Sequence, residues 1–252
     1  MGQGGDDWPE PYDRRLLAEV DSTNAEAARL APGLTRPTWV VAHRQTGGRG
    51  RRGRAWLSPE GNFAGSLILW PTGSAAEAAQ RSFVAALAVE EALHAAIGPG
   101  ATLALKWPND VLLNGGKVAG ILLERSGQGA GAALVVGIGV NLAHAPPREA
   151  LEPGALPAVS VVGETGLGLA PEAFLDLLAP AFARHEAQLA TFGFAPIRTA
   201  WLSRAARLGQ PIIARTAAEE IAGTFETIDE DGALILRSAT GRRTLPAADI
   251  SF

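Results

Sequence analysis

Leu103 to Trp107, Val111 to Leu113 and Lys117 to Glu124 are short apolar segments separated by turns, and they constrain the fold more than any other stretch. Asn114-Gly115-Gly116 supplies the residue types that a tight hairpin turn demands. Strands joined this closely pair antiparallel. Ala133 to Asn141 reads as a fourth strand, with Gly137 and Gly139 inside it where something must approach the backbone closely. Leu16 to Val20, Val40 to Ala42 and Ser66 to Trp70 read as further strands, the last apolar enough to be buried on both faces. Between the first two, Asp21-Ser22-Thr23-Asn24 opens a helix running to about Leu30, in which Thr23 and Glu26 match a capping box. Ser74 and Glu77 match a second one, ahead of a helix predicted from Ala75 to Ile97 that is apolar almost all round. Hairpins beside long helices imply an α+β fold, a mixed and largely antiparallel sheet backed by helices.

A Pro-rich connection from Ala145 to Pro157 leads to a helical region in which Phe174, Leu178, Phe182, His185 and Leu189 recur at helical spacing. Pro180 is expected to kink or break that helix, and His185 reads as a residue of its apolar face. A short helix holds Ile197, Trp201 and Leu202. After Gly209 the texture changes to short strands, Pro211 to Thr216, Glu220 to Ile228, Ala233 to Arg237 and Arg242 to Leu245, as in a compact β-barrel. The expected division is residues 1–208, of which 1–12 form a loose terminus, and a small β domain over 209–252.

With no cysteine among 252 residues, disulfides, thiolate metal sites and thiol nucleophiles are excluded. The four histidines are far apart in the sequence and lack ligand spacing. No apolar run of membrane length and no leader pattern is present, so a cytoplasmic protein without a membrane partner is expected. Against a net charge of -4, Gly48-Arg49-Gly50-Arg51-Arg52-Gly53-Arg54 concentrates four guanidinium groups among glycines. The run fits G-x-G-x-x-G, but turn residues follow where a dinucleotide site needs a helix, and no Gly-Lys-Ser/Thr completes a P-loop. A nucleic-acid patch would spread basic residues over a whole face. A glycine-rich loop that closes over a small anion accounts for the pattern, since arginine donates bidentate bonds to carboxylate or phosphate; a solvated basic loop is the alternative. Lys106-Trp107-Pro108-Asn109-Asp110 places a lysine, an amide and a carboxylate at a strand end, and hairpin pairing can bring Lys117 back towards them. That set suits polyphosphate chemistry, though an ordinary surface hairpin with a Lys/Asp pair would look the same.

Together, Gly48 to Trp56, Lys106 to Asp110 and Lys117-Val118-Ala119-Gly120-Ile121-Leu122-Leu123-Glu124 resemble the biotin protein ligases, and Asp21 to Asn24, Gln45 and Gly137 to Asn141 match further motifs in the same order. The resemblance implies the biotin/lipoate ligase-like fold with a small C-terminal SH3-like β-barrel. It implies formation of biotinyl-5′-AMP from biotin and ATP with Mg²⁺, then transfer of biotin to a lysine of a biotin carboxyl carrier protein of acetyl-CoA carboxylase. By motif, Ser22, Thr23, Asn24 and Gln45 would bind the ureido head of biotin. Arg49, Gly50 and Arg51 would belong to a loop ordering over the ligand. Lys117 would sit at the biotin carboxylate and α-phosphate. Arg49, Arg51, Arg54, Trp56, Lys106, Asn109 and Asn141 would contact ATP or the adenylate. Lys117, Arg51 and Asp110 would be catalytic, with Asp110 helping to hold Mg²⁺ or to activate the incoming amine.

There are departures from the family. The chain starts almost directly at the catalytic domain, so a ligase without operator binding and without a nucleic-acid partner is expected. Gly47 stands where alanine is more usual, and the C-terminal match is weaker. A homodimer through a sheet edge is compatible with the family but fixed by nothing in the sequence. A lipoate-protein ligase is the nearest rival, disfavoured by the arginine loop and by Lys106 to Asp110. A nucleic-acid-binding regulator is disfavoured by 26 acidic against 22 basic residues.

Overall fold

A computed structural model describes residues 8–152 and 154–252. In chain order the strands and α-helices are β1 (Asp13–Val20), α1 (Thr23–Leu30), β2 (Thr38–Gln45), β3 (Phe63–Leu69), α2 (Ala75–Ala79), α3 (Arg81–Ile97), β4 (Leu103–Lys106), β5 (Asp110–Leu113), β6 (Gly116–Ser126) and β7 (Ala133–Val140). There follow α4 (Val161–Thr165), α5 (Pro171–Phe192), α6 (Phe194–Leu202), β8 (Pro211–Arg215), β9 (Glu220–Ile228), β10 (Leu234–Ser238), β11 (Gly241–Leu245) and β12 (Asp249–Ser251).

The large sheet runs β1-β2-β3-β7-β6-β5-β4. Its β1/β2 pair is parallel and connected through α1, while every other pair is antiparallel. The hairpin between β5 and β6 turns as its residues predict, with positive φ at Asn114 (49°) and Gly115 (86°). Alternation along the strands gives the sheet two unlike faces. Trp39, Val41, Phe63, Leu67, Val111, Ile121, Val136 and Ile138 belong to the main core with residues of α3 and α5. On the other face Val40, Ile68, Ala133 and Val135 meet Ala27 and Ala31, which form a small second core under α1. Farther along that second face the large side chains stop, and Ser66, Gly120, Gly137 and Gly139 take their place.

Several local expectations change. Residues 8–12 are packed rather than loose, with Tyr12 buried and the Trp8 indole donating to Tyr12 O at 2.7 Å; residues 1–7 lie outside the described residues. α1 is capped by Ser22, whose hydroxyl accepts from Ala25 N, because the Thr23 hydroxyl turns away to Gln45. The helix expected from Ala75 is divided at Gln80, and its predicted capping box of Ser74 and Glu77 is present. α5 continues through Pro180. Burying Phe174, Leu178 and Phe182 there outweighs the roughly 3 kcal/mol that an interior proline costs. His185 is paired rather than merely apolar-packed, its Nε2 lying 3.0 Å from Glu91 Oε2 on α3.

The second sheet runs β11-β10-β9-β8-β12. The closing strand β12 has three residues, too few to carry a pattern in the sequence. Its sheet shares the main core with the large one, through the edge-to-face pair Phe83 and Trp201 at 5.4 Å and then Phe225 at 6.5 Å from Trp201. The Trp107 indole is fully buried and donates to Gly232 O at 2.9 Å, so the strand end that carries Lys106, Asn109 and Asp110 is tied to the smaller sheet.

A Cβ at Gly137 would collide with the Asn24 amide, whereas one at Gly33 meets nothing within 4 Å. Gly137→Val is expected to destabilise by about 1–3 kcal/mol through overpacking. Gly33→Ala should be near neutral, and urea denaturation of the two variants measures the contrast.

Candidate active site

The N-terminus of α1 points onto the bare part of the sheet and brings Ser22, Thr23 and Asn24 there, each under a tenth exposed. Gln45, at the end of β2, accepts at Oε1 from Thr23 N at 2.7 Å and from the Thr23 hydroxyl at 3.0 Å. Ser66 on β3 lies 2.8 Å from Thr23 Oγ1 and donates to Asn24 Oδ1 at 2.6 Å. Asn24 Nδ2 donates to Glu124 Oε2 on β6 at 2.7 Å. The predicted head-group residues are thus one connected polar cluster, enlarged by Ser66 and Glu124.

Two residues along β7, at a spacing of about 7 Å, Gly139 carries the Trp56 indole. No side chain could occupy that position, because a Cβ would overlap the ring, and the same indole lies over Gly120 of β6. Lys117 Nζ sits 5.5 Å from the Trp56 ring centroid, within cation–π range. Hairpin pairing brings Lys117 back to the strand end as expected: its ammonium is 2.7 Å from Asp110 Oδ1. That contact is poorly aligned for a directed hydrogen bond and is primarily electrostatic. Lys106 Nζ approaches the other oxygen at 3.7 Å. Burial alone would raise the Asp110 carboxyl, but the Lys117 and Lys106 ammonium groups outweigh it and hold the carboxyl below its ordinary value. Burial lowers the Lys106 ammonium, opposed by Asp110.

The arginine loop is a folded hairpin. Trp56 N donates to Gly48 O at 2.9 Å and Gly50 N to Arg54 O at 2.7 Å, with Arg52 at a positive φ of 57° between them. Asp249 on β12 gathers three of its arginines: Arg52 at 2.5 Å, Arg54 at 3.1 Å and Arg51 at 3.8 Å. Arg54 also meets Glu152 at 2.7 Å. Arg51 reaches Asn109 Oδ1 at 3.4 Å, while Asn109 Nδ2 donates to Ile121 O, so the loop touches the Lys106 to Asp110 turn directly. Arg49 is exposed and pairs with no carboxylate among the described residues. Asn141 stands apart from the cluster; it is buried, and its Nδ2 donates to Val159 O at 3.1 Å.

Among the described residues no group of three or more His, Cys, Asp or Glu is placed to hold a metal. With both oxygens of Asp110 facing lysines, this carboxylate does not fit a resident cation site.

Ser66 and Asp249 lie outside the motifs, and Glu124 closes the Lys117 motif without having been given a role. Ser66 carried a signal, a lone hydroxyl in a strand buried on both faces, which must find a partner. Asp249 carried none, because only the fold brings it to the loop.

Residues 17–141 match the Biotin/lipoate A/B protein ligase family, and residues 208–252 match the Biotin protein ligase C terminal domain. The chain is 66% identical to a biotin–[acetyl-CoA-carboxylase] ligase of Paracoccus denitrificans over 94% of its own length and 99% of the relative's. It is 32% identical to the bifunctional ligase/repressor BirA of Escherichia coli, over 88% of this chain and 68% of that one. A biotin protein ligase of Aquifex aeolicus, solved in complex with biotin and ATP, superposes with a TM-score of 0.81 at 29% identity, over 95% of this chain and 97% of that one. The chain belongs to the biotin protein ligases.

Two outcomes follow from the charge arrangement. Asp249→Ala is expected to leave the fold intact but to speed tryptic cleavage within residues 48–54, because the loop loses the anchor of three arginines; cleavage at the wild-type rate would contradict this. Asp110→Asn strands two lysine charges and should cost about 3–5 kcal/mol near neutral pH. A carboxyl with a lowered value stabilises above its unfolded pKa, about 3.9, and that stability is lost as the pH falls through the lowered one. The difference between wild type and variant should therefore shrink below about pH 4, as read by denaturation at a series of pH values.

Proposed function

We propose that the protein is a biotin–[acetyl-CoA-carboxylase] ligase, which activates biotin with MgATP and passes it to a lysine of a biotin carboxyl carrier protein. The carrying observation is the placement of Lys117, Asp110 and the arginine loop around one strand end, beside the polar cluster of Thr23, Asn24 and Gln45.

In the first step the biotin carboxylate attacks the α-phosphorus of ATP and pyrophosphate leaves, giving biotinyl-5′-AMP. Two anions must meet, so cations between them lower the barrier. Lys117 takes that role, with Arg51 and the exposed Arg49 closing on carboxylate and phosphate. Asp110 serves by holding Lys106 and Lys117 in place. Mg²⁺ enters bound to the phosphates of its substrate. Ser22, Thr23 and Gln45 bind the ureido head, while Trp56, Arg54, Lys106 and Asn109 lie on the nucleotide side. Asn141, already bonded to Val159 O, contributes to that side through the backbone it holds.

In the second step the carrier lysine attacks the acyl carbon as a neutral amine, the amide forms and AMP departs. The loop must exclude water until then, because the mixed anhydride hydrolyses readily. Its tether to Asp249 supports a part for the smaller sheet in that closure. No described helix is long and apolar enough to cross a membrane, which suits a carrier and ligase meeting in the cytoplasm.

ATP–pyrophosphate exchange, with biotin and lipoate compared, tests the first half-reaction. Exchange dependent on biotin is expected, and exchange with lipoate alone would overturn the assignment. Lys117→Ala should fold with a lowered thermal midpoint, because Asp110 loses its nearest cation, and should lose about 10²–10³-fold in biotin-dependent exchange under conditions where it is fully folded.

A further inference from the structure

The chain contains two lysines, Lys106 and Lys117, against twenty arginines. Both lysines stand at the site and face one carboxylate, Asp110, which lies 2.7 Å from Lys117 Nζ and 3.7 Å from Lys106 Nζ. On the biotin ligase reading that placement carries a hazard. Biotinyl-5′-AMP is a mixed anhydride that acylates lysine, and Lys117 stands beside its acyl carbon.

The unwanted step is the second half-reaction turned inward. A neutral Lys117 Nζ attacks the acyl carbon with its lone pair and a C–N bond forms. The bond from that carbon to the phosphate oxygen breaks, AMP leaves with the bonding pair, and the surplus proton on nitrogen passes to water. The product is a biotinyl amide on a residue that adenylation requires, so one such event ends catalysis. An ordinary exposed lysine is neutral in roughly one molecule in a thousand close to neutral pH. Reacting groups held in contact reach effective molarities of about 10⁵ M or more, so even that fraction competes with a carrier lysine arriving by diffusion. Ordinary protonation is therefore too little protection.

The surroundings favour the cationic form of both side chains. Lys117 lies between the Asp110 carboxylate and the Trp56 indole, 5.5 Å from the ring centroid, and both attract an ammonium rather than a neutral amine. Lys106 depends on the carboxylate more. Burial lowers its ammonium and Asp110 opposes that, with Lys117 and Arg51 on the side of burial and Asp249 on the side of Asp110. Burial alone would raise the Asp110 carboxyl, but Lys117, Lys106 and Arg51 hold it below its ordinary value, so it stays an anion. Every other basic side chain except histidine is a guanidinium, which keeps its proton.

We propose that Asp110 is a specificity-determining residue that keeps Lys106 and Lys117 from attacking the enzyme's own biotinyl-5′-AMP, so that the carrier's amine is the one acylated. This rests on the biotin ligase reading.

Synthetic biotinyl-5′-AMP supplies the intermediate directly, so the test does not depend on how well a variant adenylates. Wild type and Asp110→Asn are each incubated with it at mildly alkaline pH without carrier. Peptide mapping by mass spectrometry then measures amide-linked biotin at Lys106, Lys117 and the chain's α-amine. The same mixtures in urea give the ratio among these amines in free solution, and thermal melts set a temperature at which Asp110→Asn is folded. In wild type the two lysines, relative to the α-amine, should take up less biotin than in urea. In folded Asp110→Asn their labelling should rise by about tenfold or more over wild type and exceed the urea ratio. Loosening alone would bring the lysines only to the urea ratio, whereas transfer within the site carries them past it. Where the single variant does not fold, adding Lys106→Met to it strands one lysine charge instead of two and carries the same comparison for Lys117. Lysine labelling at or below the urea ratio in the folded variant, or ready acylation of Lys117 in wild type, would overturn the assignment while leaving the ligase intact. Absence of biotin-dependent pyrophosphate exchange in the wild type would instead overturn the ligase reading, and the assignment with it.

Discussion

The site exists because three Cβ atoms are missing from one face of the large sheet. At Gly137 the Asn24 amide lies against the backbone, and at Gly139 and Gly120 the Trp56 indole does. A methyl group at Gly137 or Gly139 would expel the group above it, and with that the arrangement of α1 or of the arginine loop over the strands. Glycine in a strand interior costs about 0.5–1 kcal/mol relative to alanine and leaves the strand without a side chain to pack. That cost is offset on the opposite face, where Val136, Ile138 and Val140 of the same strand are fully enclosed by the main core. One strand thus carries stability on one side and the proposed binding surface on the other.

Around this bare strip the charges are arranged to keep cations in place without neutralising them. A largely enclosed Asp110 between two lysines is not primarily a stabilising device, since desolvation consumes most of what such a pair gains. It fixes Lys117 beside the Trp56 ring and over Gly120 of the strip. Asp249 acts on the loop in a comparable way from the other sheet. Trp107, buried and bonded to Gly232, sets how that sheet meets the strand end. The two sheets therefore share both a core and a set of ion pairs, and a substitution in the small one can reach the chemistry of the large one.

Much of this was legible in the chain. The hairpin at Asn114-Gly115, the four-stranded run from β4 to β7 and the longer helices follow from turn residues and apolar period, although the division at Gln80 and the short α4 did not, and the close approach at Gly137 and Gly139 followed from glycine inside a strand. What stayed hidden depends on long-range pairing. Thr23 looked like the cap of α1, but Gln45, twenty-two residues away, claims its hydroxyl, and Ser22 caps instead. Pro180 looked like a helix break, but buried aromatic packing carries α5 through it. Asp249, in a three-residue strand near the end of the chain, has no local signature and acquires its role only where β12 meets the loop.

The most direct test is whether the protein makes and keeps its activated intermediate. After incubation with biotin and MgATP and removal of free small molecules, the account predicts close to one biotinyl-5′-AMP per chain, lost slowly to water and rapidly when a biotin carboxyl carrier domain is added. Recovery of no adenylate, or of one that hydrolyses as fast on the protein as in free solution, would contradict it.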